Sequence, residues 1–140
     1  MKAFVKQAIQ ILEQNGYKIT NPRKQVLELI QKASSPLSPY DLQKMLSKEE
    51  ALNPVTIYRV LELFVKLHLV HKVARGGFVK CSIPTEEGCH HFVVCNSCGT
   101  TKEFAEDQGC HFHLPTNIAK DFTVTSHTYE IAGICKKCKK

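Results

Sequence analysis

NPVTIYRVLELFVKLHLVHKVARGGFVKC, residues 53–81, changes its hydrophobic period partway along. Asn53-Pro54 is a cap followed by a proline suited to a first helical turn, and Ile57, Val60, Leu61, Phe64 and Leu67 then recur at helical spacing. Beyond them, Leu69-Val70-His71-Lys72-Val73 and Phe78-Val79-Lys80-Cys81 are short β-type runs joined through Arg75-Gly76-Gly77, which reads as a hairpin turn. Upstream, three more helices are expected. Phe4, Ala8, Ile11 and Leu12 share one face of the first, which Asn15-Gly16 ends. Thr20-Asn21-Pro22-Arg23 opens the second, which carries Val26, Leu27 and Ile30. Ser38-Pro39 opens the third, with Asp41 near its N-terminus and Leu42, Met45 and Leu46 as its apolar positions.

Several short helices followed by a small hairpin is the order of a winged helix-turn-helix, which lays one helix in the DNA major groove and rests the hairpin on the adjacent backbone. Burying Ile57, Leu61 and Phe64 turns Val55, Thr56, Arg59, Glu62 and Lys66 outward, with Tyr58 on the flank. Thr56, Tyr58 and Arg59, near the helix start, are therefore candidate DNA contacts: methyl and ring edges suit thymine, and a guanidinium suits guanine or phosphate. Arg23, in the first turn of the second helix, joins them. The plainer reading is an ordinary amphipathic surface helix, because other small helical domains share this periodicity.

The 140 residues carry 19 Lys and Arg against 13 Asp and Glu, a net charge of +6, with seven Cys and seven His. Residues 1–70 hold ten basic and six acidic side chains, and residues 71–140 hold nine and seven, so the charge permits nucleic-acid binding without requiring it. Composition excludes collagen, coiled coil and disordered chain. No apolar run reaches the length that crosses a bilayer, and charges interrupt the first residues, so a cytoplasmic protein is expected, with no membrane partner. In a reducing compartment seven cysteines point to metal ligation or thiol chemistry, not to a disulfide framework. Every Cys and His lies beyond Leu67, so the two halves carry different chemistries.

Cys95-Asn96-Ser97-Cys98 and Cys135-Lys136-Lys137-Cys138 are two CxxC pairs 36 residues apart. Each pair can turn two sulfurs inward from one tight turn, and two pairs supply four thiolates to a tetrahedral, closed, structural zinc. The competing reading is a redox pair or reducible disulfide. A segment of about 60 residues is also small enough to need such a staple. Cys81, Cys89, Cys110 and most of the histidines remain. His71 and Cys81 fall on opposite strands of the hairpin, Cys89-His90-His91 leads into the strand that carries Cys95, and Glu103 follows the first knuckle. A mixed set of this kind can build a second tetrahedral site spanning both segments, although each residue alone has a duller explanation.

Thr20–Leu27, Pro54–Leu61, the Leu69–Val73 run, the Cys89-His90-His91 approach to Cys95-x-x-Cys98-Gly99, and Cys135-x-x-Cys138 together resemble the ferric uptake regulator superfamily, in order and over nearly the whole chain. The resemblance implies an α+β protein: an N-terminal winged helix-turn-helix (1–83), followed by a small α/β dimerisation domain with a structural zinc (84–140). It also implies a homodimer, not an enzyme, that binds palindromic operators in double-stranded DNA when a regulatory metal is present.

Departures from the family pattern are informative. Iron-sensing members have an HHxDH-like stretch where this chain has Cys89-His90-His91-Phe92, and a His before the third helix where this chain has Ser35-Pro36-Leu37. The carboxylate they use after the wing strand is replaced by Cys81. Thiolate with imidazole suits zinc better than iron(II) or manganese(II). The chain is thus most similar to the zinc uptake regulator branch, which implies a zinc-responsive repressor of zinc-uptake genes. The sensing ligands would be His71, Cys81, Cys89 or His90, and Glu103. The third stays open: counting from Cys81 selects Cys89, and counting back from Cys95 favours a nearby histidine. A further site known in the family would fall on Cys89, His91, Cys110 and His127, and competes for Cys89. Zinc is the expected cofactor, one structural and at least one regulatory ion per subunit. The alternatives are an iron- or peroxide-responsive member of the same family and, in different classes, a thiol-redox protein or a zinc-ribbon interaction module.

Overall fold

The computed structural model describes residues 3–74, 76–81, 89–104, 113–124 and 127–139, with backbone alone at 89, 90, 127 and 128. The chain divides into two compact units, Met1–Ser82 and Ile83–Lys140, and combines helices with two small sheets in an α+β architecture.

The first unit is built from α1 (Ala3–Gln14), α2 (Asn21–Lys32), α3 (Pro39–Met45) and α4 (Pro54–Lys66), a short 3-10 turn at Lys48–Glu50, and the strands β1 (Val70–Lys72) and β2 (Phe78–Lys80). Local chemistry sets the helix starts. The Thr20 hydroxyl accepts from the Arg23 backbone N–H, Asn53 Oδ1 accepts from Val55 N–H, and Ser38 and Asp41 form a reciprocal capping box. Each such cap contributes about 1 kcal/mol. In α3 the Ser38 backbone N–H, donating to Asp41 Oδ2 (2.9 Å), is the main cause that holds the Asp41 carboxyl below its ordinary range, with the Ser38 hydroxyl second. Val5, Ala8, Leu12, Val26, Leu27, Ile30, Leu42, Ile57, Leu61 and Phe64 interlock as the core.

Two apolar expectations shift. In α1 the buried line runs through Val5, Ala8 and Leu12, with Phe4 and Ile11 only partly covered, and Met45 is 47% exposed. Met45 is the last residue of a seven-residue helix, so the face that buries Leu42 has no further turn in which to bury it.

At its C-terminus α4 closes with Leu69 N–H to Phe64 C=O (2.8 Å) and His68 N–H to Val65 C=O (3.0 Å), and His68 adopts φ +59°. This is the Schellman arrangement, with Leu69 and Phe64 supplying its buried apolar contact, and it turns the chain directly into β1. The strands β1 and β2 pair antiparallel with His71 opposite Val79. A backbone bridge between Leu37 and Phe78 (3.0 and 2.8 Å) ties the hairpin to the α2–α3 connection. Gly77 makes that approach possible, because a Cβ there would lie 2.5 Å from Pro36 Cβ.

In the second unit β3 (Cys89–Cys95) is central, antiparallel to β4 (Thr101–Phe104) and parallel to β5 (His127–Gly133), with a short α5 (Thr116–Ala119) between β4 and β5 in sequence. Phe92 and Val94 are buried on one face of β3. Parallel pairing brings the C-terminal ends of β3 and β5 side by side, with Cys95 in register with Gly133.

Candidate functional site

At that shared sheet end the two CxxC turns meet. Cys95 closes β3, and its carbonyl accepts from Gly99 N–H (2.9 Å), with Gly99 in the positive-φ conformation the turn requires. The second turn is closed by Cys138 N–H and Lys139 N–H to the Cys135 carbonyl. Asn96 N–H to Gly133 C=O (2.8 Å) joins the first turn to the end of β5. The sulfurs of Cys95, Cys98, Cys135 and Cys138 consequently all lie within 4.8 Å of one another, and Cys98 Sγ stands 3.7 Å from Cys135 Sγ. A tetrahedral zinc with ~2.3 Å bonds to sulfur needs sulfurs ~3.8 Å apart, a spacing the Cys98–Cys135 pair already has and the rest of the cluster lies within about an ångström of.

The turns also act on the thiols. Cys135 N–H donates to Cys95 Sγ (3.3 Å). That bond, followed by the Cys98 backbone N–H, draws the Cys95 thiol down to about 6. The Thr100 hydroxyl, 3.1 Å from Cys98 Sγ, is the main cause of a lowered Cys98. Cys138 is pushed up to about 12, chiefly by the neighbouring Cys135 and Cys98 sulfurs, since one more thiolate in the cluster meets charge already present. A divalent cation would relieve that repulsion, and four thiolates around a tetrahedral ion leave no open position. Sequence reasoning overlooked Thr100; a hydroxyl two residues after the second thiol of a CxxCG turn was the available signal.

Of the other metal candidates, the first unit brings two together. His71 lies on β1, and Cys81, which follows β2, donates its N–H to Leu69 C=O (2.9 Å). This continues the register, so Leu69, His71, Val79 and Cys81 occupy one face of the hairpin, with His71 and Cys81 diagonal neighbours. Cys81 is buried and His71 half-buried. Glu103 lies on β4 of the second unit, and Cys89 and His90 begin β3, where only backbone is described. Cys89 is in register with His127 on β5, and Cys110 lies outside the described residues. His91 is fully buried between Phe104 and Tyr129, its ring centroid 5.4 and 4.8 Å from theirs. Its Nδ1 accepts from the Tyr129 N–H (3.3 Å), which puts the proton of the neutral ring on Nε2.

On α4 the positions proposed to face DNA are open: Tyr58 is 53% exposed, Arg59 is exposed and Thr56 half-buried. Arg23 is engaged within the fold, its Nη1 donating to the Lys18 carbonyl (2.6 Å) and its guanidinium lying 5.6 Å from the Tyr17 ring centroid. Among the described residues, no helix is long and apolar enough to cross a membrane.

Residues 14–132 match the ferric uptake regulator family. The ferric uptake regulation protein of Staphylococcus epidermidis is 30% identical over 136 residues, covering 95% of each chain. Among solved structures, a zinc uptake regulator complexed with zinc and DNA gives a TM-score of 0.80 at 26% identity, over 99% of this chain and 96% of that one. Holo XcZur gives 0.76 at 26% identity, over 97% and 96%. A family match across most of the chain, on a fold whose two turns converge on a metal cluster, means that the protein belongs to the ferric uptake regulator family, whose members regulate transcription and are not enzymes.

Proposed function

We propose that the protein is a zinc-responsive transcriptional repressor, acting in the cytoplasm as a metal-loaded homodimer on palindromic operators and controlling zinc-uptake genes. Residues 1–83 bind DNA and residues 84–140 dimerise. Zinc held by Cys95, Cys98, Cys135 and Cys138 is a permanent part of that second domain's fold. Regulatory zinc is held by His71 and Cys81, with Cys89 or His90 and Glu103 completing the set. The observation that carries the choice of zinc is the pairing of a buried thiol with an imidazole on one face of the hairpin. A thiolate there selects a borderline-soft ion over iron(II) or manganese(II). Likeness to zinc uptake regulator structures supports the same reading.

A site drawing ligands from both domains would favour the arrangement in which two recognition helices reach successive major-groove half-sites, with Thr56, Tyr58 and Arg59 at the bases and Arg23 near the backbone. A tenfold preference of zinc for that arrangement corresponds to ~1.4 kcal/mol. The further site over Cys89, His91, Cys110 and His127 has less in its favour. A metal on His91 would have to displace the Tyr129 N–H from Nδ1, or bind Nε2 and turn a second donor toward that N–H. We therefore assign His91 to packing, which leaves Cys89 available to the sensing set.

A second reading, iron response, has in its favour the likeness to ferric uptake regulation proteins. Enrichment of a random duplex pool on the purified protein, at buffered free zinc beside iron(II) and chelator, separates the two. A palindrome recovered with zinc alone, at two or more zinc ions per subunit, is the expected result. Recovery with iron(II) alone transfers the protein to the iron reading.

A further inference from the structure

The two faces of the second unit's sheet differ in charge. Residues in register on neighbouring strands share a face, and Val93 pairs with Lys102 on β4 and with Ile131 on β5. Glu103 and Glu130 both pair with Phe92, so the carboxylates project from the opposite face. Against the Cys95 and Cys135 turns, a groove of about 260 Å³ has Val93, Ile134, Thr100 and those two cysteines in its walls and the exposed Lys102 and Lys136 in its lining, with no carboxylate there among the described residues. Val93 is 38% and Ile134 51% exposed, and Lys137 and Lys139 extend the exposed positive rim along the chain.

We propose that this groove docks an acidic peptide segment of another protein, seating one apolar side chain between Val93 and Ile134 while its carboxylates meet Lys102 and Lys136. Each candidate occupant meets the same two features, an apolar floor and a cationic rim. A second copy docked isologously would set the Lys102 and Lys136 of one subunit against the same lysines of the other. A DNA backbone satisfies the lysines but offers the apolar floor nothing to bury. An acidic segment with one apolar anchor satisfies both, the anchor giving affinity and the rim charges giving steering and selectivity. This inference is independent of which metal is the effector.

The test is fluorescence anisotropy of the zinc-loaded 140-residue chain with a labelled short peptide of Asp and Glu around a single Phe, beside a peptide in which Ser replaces the Phe. Saturable binding of the Phe peptide is expected, weaker for the Ser peptide and weakened about tenfold by Lys102→Glu and by added salt. Zinc content and operator affinity of Lys102→Glu should match the parent, reporting an intact fold. Absence of saturable binding at millimolar peptide would overturn the proposal. So would equal binding of the two peptides, which would reduce the effect to surface charge. A Lys102→Glu variant that changes operator affinity or dimerisation, and leaves peptide binding alone, would give the groove to DNA or to a second copy.

Discussion

Cys81 and Arg59 carry the residue-level consequences of the fold. Cys81 sits buried at the end of β2, two positions beyond the residue opposite His71. Cys81→Ser keeps the volume and removes the soft ligand, so the variant should remain a folded dimer with its structural zinc and lose at least tenfold in zinc-activated operator affinity. Zinc counting beside anisotropy with operator DNA checks both halves. Arg59, exposed on α4, should lower operator affinity by roughly 1–3 kcal/mol when changed to Ala, without altering zinc stoichiometry.

At the four-cysteine centre the protons give a separate readout. Cys95, drawn from 9.0 to about 6, is already a thiolate at pH 7 in the metal-free fold, whereas Cys138, raised to about 12, still holds its proton. A lowered thiol contributes stability that is present above its ordinary value and is lost as pH falls through 6; the raised Cys138 favours the metal-free fold below 9 and ceases to as pH rises through 12. Zinc binding at pH 7 should therefore release fewer than four protons. Below pH 6 one more should be released as Cys95 joins the competition, steepening the loss of affinity with acid. A pH-indicator titration in weak buffer measures this directly.

Among the elements, the hairpin depends on a close approach that no periodic pattern announces. Gly77 lies against Pro36, and Leu37 adds a one-residue bridge to the outer edge of β2. Gly77→Ala should destabilise the first unit by about 1–3 kcal/mol, read as a lower denaturant midpoint with unchanged slope. The helix starts were legible because caps are local: Thr20, Ser38 and Asn53 each bond within three residues of themselves. Burial at helix ends was less so: Met45 and Phe4 have the right spacing, yet Met45, in the last turn of α3, is exposed and Phe4, in the first turn of α1, is only partly covered. The bridge at Leu37 was invisible because it joins residues far apart in sequence through backbone atoms alone.

For the molecule as a whole, the same distinction separates the four-cysteine cluster from the proposed sensing set. The four-cysteine centre is two short motifs made adjacent by one parallel strand pairing, so its ligands could be read off directly. The proposed sensing set would draw on single residues scattered along the chain, and their spacing does not say which of Cys89 or His90 completes it. The core of Met1–Ser82 contains none of the four knuckle cysteines, whereas the second unit's sheet ends in them. Stripping zinc with a strong chelator should consequently lower the protection of the second unit's sheet end and weaken dimerisation while the first unit is unchanged, as hydrogen exchange resolved by segment would record.

Whether zinc, filling a second site, licenses DNA binding is tested most directly by the operator affinity of the wild-type protein across buffered free zinc, with bound zinc counted at each point and iron(II) run in parallel. Weak, non-selective binding with one zinc per subunit and a rise of at least tenfold as the second ion binds are expected. Full affinity at one zinc per subunit, or a rise with iron(II) and none with zinc, would contradict that expectation.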